Sequence, residues 1–367
     1  MMRIVSEALA ERGHHVEVHT TTAVRESALQ AFNRPWASFE VINGVRVFRH
    51  PIRGIRLPRF VIRGVDLLSI YPHGPYAPGM LRHLATGDYD VIISATFPFT
   101  YNYFAWLFSR LRGKGLVFYP LTHFDDRYHF DRSSLYAMMR GAEAVVANTA
   151  FEARKYLRRG VRRENLFVSG CCVDPRKYVQ VESKIKEKHR ASRLILFLGR
   201  GDKGKGADVV VKAAAELASR RPDWLFVFAG EGTKGIAGAA RVLVLGPVEE
   251  REKLSLLSAC DILVLPSTME SFGMVFLEAW MYEKPVIGAL TGVTSEVIRH
   301  GKDGLLIPAG DHLALARAIE QVVATPGRGR GMGAAGRRKA LARFTPEVVA
   351  GVFEKAVNHA AGKRRAR

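Results

Sequence analysis

The sequence predicts an α/β protein built from two domains, each on a mostly parallel sheet, and three observations carry that expectation. Short, fully apolar runs alternate with segments of helical period almost throughout, the pattern of strands buried on both faces by crossover helices. The 367 residues exceed one ordinary domain and suggest two. A charged stretch with no apolar stripe, VQVESKIKEKHRASR at 179–193, separates the apolar runs into two series and reads as a linker.

In chain order, RIVSEALAERG reads as a helix leading into the strand VEVHT, and DVIIS, GLVFYP (115–120) and EAVVANT (143–149) read as further strands. Helical stretches at 99–112 and 150–159 supply the crossovers. The second series is RLILFLG (193–199), WLFVFAG (224–230), RVLVLG (241–246), DILVLPS (261–267), KPVIGA (284–289) and GLLIP (304–308), with helical segments at 206–220 and 249–258 among them. A last helix, 346–359, follows Thr345 and Pro346, a suitable N-cap and first-turn pair. The tail KRRAR reads as solvated. The expected organisation is therefore a first domain over 1–178, a linker over 179–193, a second domain over 194–345, and a C-terminal helix with a basic tail over 346–367.

Composition narrows the function classes. Apolar residues make up 48% and charged residues 25%, which allows a large packed core and excludes a disordered chain. The three cysteines, Cys171, Cys172 and Cys260, form no disulfide framework, and no CxxC or clustered His/Cys pattern announces a zinc site. No apolar run approaches the roughly 20 residues of a membrane span, and the first residues lack the pattern of a signal peptide. A cytoplasmic protein, peripheral at most to the inner face of the membrane, is expected. The net charge is +20. Residues 1–180 hold 25 basic and 15 acidic side chains and the remainder 30 and 20, so each half carries +10. Such a field attracts phosphates of any source. The basic groups are dispersed and match no nucleic-acid module, so no nucleic-acid partner is expected.

The most informative segment is PSTMESFGMVFLEAW, 266–280. A strand ends at Pro266, a Ser/Thr/Gly-containing loop follows, and a helix begins near Gly273. In open α/β sheets ligands bind beyond the carboxyl ends of the strands, where a helix N-terminus offers free N–H groups to an anion. Glu270 in the loop and Glu278 in the helix supply acceptors suited to sugar hydroxyls; taken as isolated residues they read as a cap and a solvated charge. A second element follows the strand LILFLG: Arg200, Gly201, Asp202, Lys203, Gly204, Lys205 and Gly206, then a helix. Glycines permit close backbone approach, and Arg and Lys suit a diphosphate. The spacing is not that of a P-loop.

Together these residues resemble the retaining, nucleotide-sugar-dependent glycosyltransferases of the family 4, or group 1, type. The likeness is strongest from about 194 to 308, through FLGRGDKGKGADVVVKAAAEL, FVFAGEG, VLVLGPV and the Glu-x7-Glu pattern of Glu270 and Glu278. It implies the GT-B fold, in which two Rossmann-like domains face each other across a cleft and the last helix crosses back to the first. It also implies that Arg200 and Lys205 hold the donor diphosphate and that Glu278 holds the nucleotide ribose. Glu270, with the backbone of Phe272, Gly273 and Met274, would contact the donor sugar and distal phosphate. Gly230, Glu231 and Gly232, with Gly246, Pro247 and Val248, would border the base, and His123 would face the anomeric centre. The implied activity is transfer of a hexose-like unit from a nucleotide diphosphate sugar, as substrate, to a glycan or lipid-linked acceptor, with no cofactor and no required metal. The alternative is a catalytically inactive protein of the same fold that binds nucleotide or a partner.

Three further segments bear on these expectations. Asp88-Tyr89-Asp90 has the Asp-x-Asp form of a metal motif but precedes its strand, and so reads as a turn. Residues 49–65 interleave Arg49, Arg53, Arg56, Arg59 and Arg63 with apolar residues, a pattern suited to an anionic membrane surface on the acceptor side. Members of the family also begin with a strand and a Gly-rich turn ahead of the first helix. This sequence begins inside that helix, so the first domain is expected to be incomplete at its N-terminus.

Overall fold

A computed structural model of the chain describes residues 1–22, 36–52, 77–97, 99–122, 124, 131–236 and 241–365. It divides into two compact units, Met1–Gly170 with Pro346–Arg367, and Cys171–Thr345.

The described elements of the first unit are α1 (Met2–Glu11), β1 (Glu17–Thr21), β2 (Phe39–Ile42), β3 (Val45–His50), α2 (Pro78–Thr86), β4 (Val91–Ala95), α3 (Thr100–Leu111), β5 (Gly115–Tyr119), α4 (Ser133–Gly141), β6 (Ala144–Ala147), α5 (Ala150–Arg158) and β7 (Leu166–Val168). Their strands form two sheets, ordered β1-β3-β2 and β4-β5-β6-β7. The second is parallel throughout, and its inner strands β5 and β6 are buried along their whole length, as double coverage by helices requires. In the first, β1 and β3 are parallel while β2 and β3 form an antiparallel hairpin. Asn43 and Gly44 turn that hairpin with φ of 48° and 79°, the two positive values that a tight hairpin loop needs. An Asn-Gly pair between apolar runs is a strong local hairpin signal, although the strand readings above do not include it.

The second unit contains α6 (Ile185–Lys188), β8 (Arg193–Leu198), α7 (Ala207–Ala218), β9 (Trp224–Ala229), β10 (Val242–Gly246), α8 (Glu250–Ala259), β11 (Ile262–Leu265), α9 (Met274–Met281), β12 (Val286–Ala289), α10 (Thr294–Val297), β13 (Leu305–Ile307), α11 (His312–Val323) and α12 (Pro326–Arg343). Its six strands are all parallel, in the order β10-β9-β8-β11-β12-β13. The chain thus winds outward from β8 in one direction and then from β11 in the other. β8 and β11 flank the switch point, where such sheets open a crevice beyond their carboxyl ends.

The stretch 179–193 expected as a linker lies inside the second unit. It attaches by polar bonds instead of an apolar stripe: Gln180 Nε2 donates to Ser258 Oγ at 2.7 Å and Lys186 pairs with Asp261 at 2.6 Å. The last helix, α13 (Pro346–Arg365), belongs to the first unit. There Phe353 meets Tyr119 edge-to-face at 5.1 Å, and Arg12 pairs with Glu354 at 2.6 Å. Helix α12 lies outside the elements read from the sequence, because its five glycines argue against a helix. It holds because two of them face neighbours at close quarters: a Cβ on Gly333 would sit 1.7 Å from the Glu283 carbonyl oxygen, and one on Gly336 would sit 2.2 Å from the Trp280 ring.

Candidate functional site

In the second unit the turns that leave β10, β9, β8 and β11 bond to one another in the same order as their strands. Gly230 N–H donates to the Gly246 carbonyl at 2.7 Å, Gly201 N–H to the Glu231 carbonyl at 2.8 Å, and Thr268 N–H to the Gly204 carbonyl at 2.9 Å. Glycine is required where the turns touch. At Gly206, φ is +77° and a Cβ would meet the Pro266 carbonyl oxygen at 2.5 Å. Sequence-distant loops are thereby held as one crest along the carboxyl edge of the sheet.

Lys205 and Glu270 meet on that crest across the switch point. Lys205 Nζ lies 2.6 Å from Glu270 Oε1 and also donates to the Met269 carbonyl at 2.9 Å. Both side chains are sheltered, 15% and 10% exposed, so the pair is held in place and is less screened than a surface pair. Asp202 organises the turn below it: one carboxylate oxygen accepts from Lys205 N–H at 3.0 Å and the other pairs with Arg200 Nε at 3.2 Å. Arg200 itself is largely solvent-facing. The four residues are linked in series, Arg200 to Asp202 through side chains, Asp202 to Lys205 through the Lys205 backbone N–H, and Lys205 Nζ to Glu270.

Three residues after Glu270, Gly273 adopts φ +89° and opens α9 at Met274 without a side chain to cap it. The first-turn N–H groups of α9 follow the loop that carries Glu270, and the helix dipole favours negative charge there. Phe272 sends its side chain into the core, 2% exposed and edge-on to Phe344 at 5.4 Å, which leaves its backbone to the turn. Glu278, one turn into α9, accepts from the Tyr178 hydroxyl at 3.2 Å and from Lys253 Nζ at 3.0 Å. Burial and the Glu278 carboxylate raise the Tyr178 hydroxyl well above its ordinary range. Burial alone would lower Lys253, but Glu278 and Glu250 outweigh it and raise its pKa. Glu278 is thus held in place by two donors.

Among the expected site residues, Lys205 and Glu270 are in contact, and Gly230, Glu231 and Gly246 lie on the bonded turns, with Val248 two residues beyond. Arg200 points to Asp202 and not to Glu270. His123 lies outside the described residues, as does the Arg53–Arg63 part of the basic segment. Asp88-Tyr89-Asp90 forms the turn entering β4, with the Asp90 carbonyl accepting from Gly115 N–H at 2.9 Å. Tyr178, Lys253 and Asp202 are additional polar partners of this region. The first two lie 100 and 25 residues from Glu278, beyond the reach of any local motif.

A second polar cluster sits in the first unit. Glu17 and His19 on β1 and His83 on α2 place ligand-type atoms within 4.8 Å of one another, although no short His/Cys spacing marks them. Burial and the neighbouring His83 push His19 down to about 4, and burial lowers His50 and His83 as well.

The comparisons with known proteins cover both units. The family model for glycosyl transferases group 1 matches residues 179–339, and that for the glycosyl transferase 4-like domain matches residues 2–171. D-inositol 3-phosphate glycosyltransferase of Corynebacterium aurimucosum is 30% identical over 54% of this chain and 52% of its own length. The enzyme of the same description from Pseudarthrobacter chlorophenolicus is 33% identical over 53% and 51%. The chain thus spans about half the length of these curated relatives. Sucrose-phosphate synthase from Thermosynechococcus elongatus superposes with a TM-score of 0.75 over 99% of this chain and 93% of that one, at 21% identity. HepE of Anabaena, solved with UDP and glucose, gives 0.69 over 86% and 87%, at 20% identity. The two matched models account for nearly the whole sequence, and the architecture agrees from end to end: the chain belongs to the group 1, or family 4, glycosyltransferases and has the GT-B fold.

Proposed function

We propose that the chain transfers a hexose-like sugar from a nucleotide diphosphate sugar to a glycan or lipid-linked acceptor with retention of anomeric configuration. The observation that carries this reading is the Lys205–Glu270 pair at the switch point, beside the N-terminus of α9. As the bond from the anomeric carbon to phosphate breaks, the sugar becomes oxocarbenium-like and the diphosphate gains negative charge. Lys205, Arg200 and the α9 amides then bind the transition state more tightly than the ground state, which is the condition for catalysis. Glu270 serves twice in this reading: it holds Lys205 before the donor arrives, and it accepts hydrogen bonds from the donor sugar. Glu278, braced by Lys253 and Tyr178, takes the ribose hydroxyls, and the turns at Gly230–Gly232 and Gly246–Val248 border the base. His123 is assigned to the anomeric region on the resemblance alone.

The relatives named for a sugar transfer to inositol phosphate and the neighbour solved with UDP and glucose make UDP-sugars the first donors to try. The test is release of nucleoside diphosphate from a panel of UDP-, GDP- and ADP-sugars, with and without polyol-phosphate, glycan and lipid acceptors. The reading expects acceptor-dependent release with one donor, reduced about 100-fold or more in Lys205→Ala, the scale of losing one charge-stabilising group at a reacting centre. Nucleotide binding with no release from any donor would favour the inactive, binding-only alternative.

A further inference from the structure

We propose that Lys253 and Tyr178 are positioning residues for Glu278, and that by occupying one of its carboxylate oxygens they turn the other into an acceptor that selects ribonucleotides over their 2′-deoxy counterparts. The selectivity rests on the nucleotide-sugar reading above, in which Glu278 takes the ribose hydroxyls. Both donors converge on the same atom: the Tyr178 hydroxyl donates to Glu278 Oε1 at 3.2 Å and Lys253 Nζ donates to it at 3.0 Å. A carboxylate oxygen has about two lone-pair directions, so Oε1 is filled. Among the described residues none donates to Glu278 Oε2. The side chain is sheltered, 13% exposed, and the lone pairs of that one oxygen are what it offers to the vicinal hydroxyls of a ribose.

Each donor is itself fixed. Lys253, on α8, also pairs with the solvent-facing Glu250 at 2.9 Å, and the two carboxylates keep its ammonium charged. Tyr178 closes the short turn Pro175–Lys177, its N–H donating to the Pro175 carbonyl at 3.2 Å. Tyr282, just past the end of α9, meets the Tyr178 ring edge-on at 6.1 Å and donates through its hydroxyl to the Val179 carbonyl at 2.7 Å. The last torsion of a glutamate side chain is otherwise broadly distributed, and a carboxylate free to turn adapts to one hydroxyl as readily as to two. With Oε1 pinned by an ammonium and a phenol, Oε2 keeps one direction. A 2′-deoxy ligand then leaves a sheltered acceptor without its donor, which is the costly case. Neither partner is visible from the sequence around Glu278, since Tyr178 and Lys253 lie 100 and 25 residues away.

The test is equilibrium dialysis of UDP, GDP and ADP, each against its 2′-deoxy counterpart, with the full-chain wild type, Lys253→Met, Tyr178→Phe and Glu278→Ala. The wild type should bind at least one nucleoside diphosphate about tenfold or more tightly than the 2′-deoxy form, the scale of one hydrogen bond to a charged acceptor. That ratio should fall below about threefold in Lys253→Met and Glu278→Ala, and by a smaller factor in Tyr178→Phe, which loses one oxygen and keeps its ring. A lost charge or a loosened fold weakens both ligands together and leaves the ratio where it was, so the ratio reads positioning. Far-UV circular dichroism confirms that each variant is folded. Nucleotide binding with a wild-type ratio near one, or with a ratio unchanged in folded Lys253→Met or Glu278→Ala, overturns the proposal and leaves the glycosyltransferase reading standing. No binding of any of the three to the wild type overturns both.

Discussion

Lys205 illustrates how far single residues could be read in advance. A Gly/Lys-rich turn after a strand is an ordinary soluble loop until its partner is known, and that partner, Glu270, lies 65 residues away. The strand ends and the helix start that carry both residues were legible; the 2.6 Å contact between them depends on β8 and β11 being neighbours. Glu152 shows the opposite case, a residue whose behaviour is set chiefly by burial. In the first unit its carboxylate accepts from the N–H groups of Asn148 and Thr122 and from the Tyr156 hydroxyl. Desolvation outweighs these bonds and raises it from 4.5 to about 7. Between those two values the folded state holds more protons than the unfolded one, so stability falls as pH rises. The full effect is about 3 kcal/mol at roughly 1.4 kcal/mol per unit. Urea unfolding of the first unit should show this loss between pH 5 and pH 8. Glu152→Gln should flatten the pH dependence while itself costing about 1–3 kcal/mol, because its amide nitrogen leaves a buried N–H unpaired.

At the scale of elements, most parallel strands were legible because each is a short apolar run, buried on both faces and closed by a turn residue. Helices α7 and α8 followed from their periodicity. The elements that were not read share a cause: their stability resides in a partner. The β2–β3 hairpin has exposed positions on β2, so its apolar signal is faint even though Asn43-Gly44 marks the turn. Helix α12 contradicts propensity, and its glycines divide into two kinds. Gly333 and Gly336 admit no side chain, whereas Gly331 is exposed and a Cβ there meets nothing within 4 Å. Gly333→Ala should therefore destabilise the second unit by about 1–3 kcal/mol through overpacking. Gly331→Ala should stabilise it by about 0.5–1 kcal/mol, the ordinary cost of glycine in a helix. Thermal or urea denaturation of the two variants reads the difference in sign directly.

Across the whole molecule, the division into two α/β units was foreseeable from two series of apolar runs, but its boundary was not. A charged stretch reads as a linker only if it lacks partners, and residues 179–193 find theirs in Ser258 and Asp261. The excess of positive charge is likewise a property of the entire chain. Such a field favours phosphates without saying where they bind, and the proposed function assigns the selection to Lys205, a sheltered cation at the carboxyl edge of the second sheet. The account therefore stands on diphosphate recognition at the carboxyl edge of the second sheet. Isothermal titration of UDP, GDP and ADP against the wild type and Lys205→Ala tests that claim most directly. At least one nucleoside diphosphate should bind the wild type and bind folded Lys205→Ala at least tenfold more weakly. Equal affinity for the two proteins, or no binding of any of the three to the wild type, would contradict it.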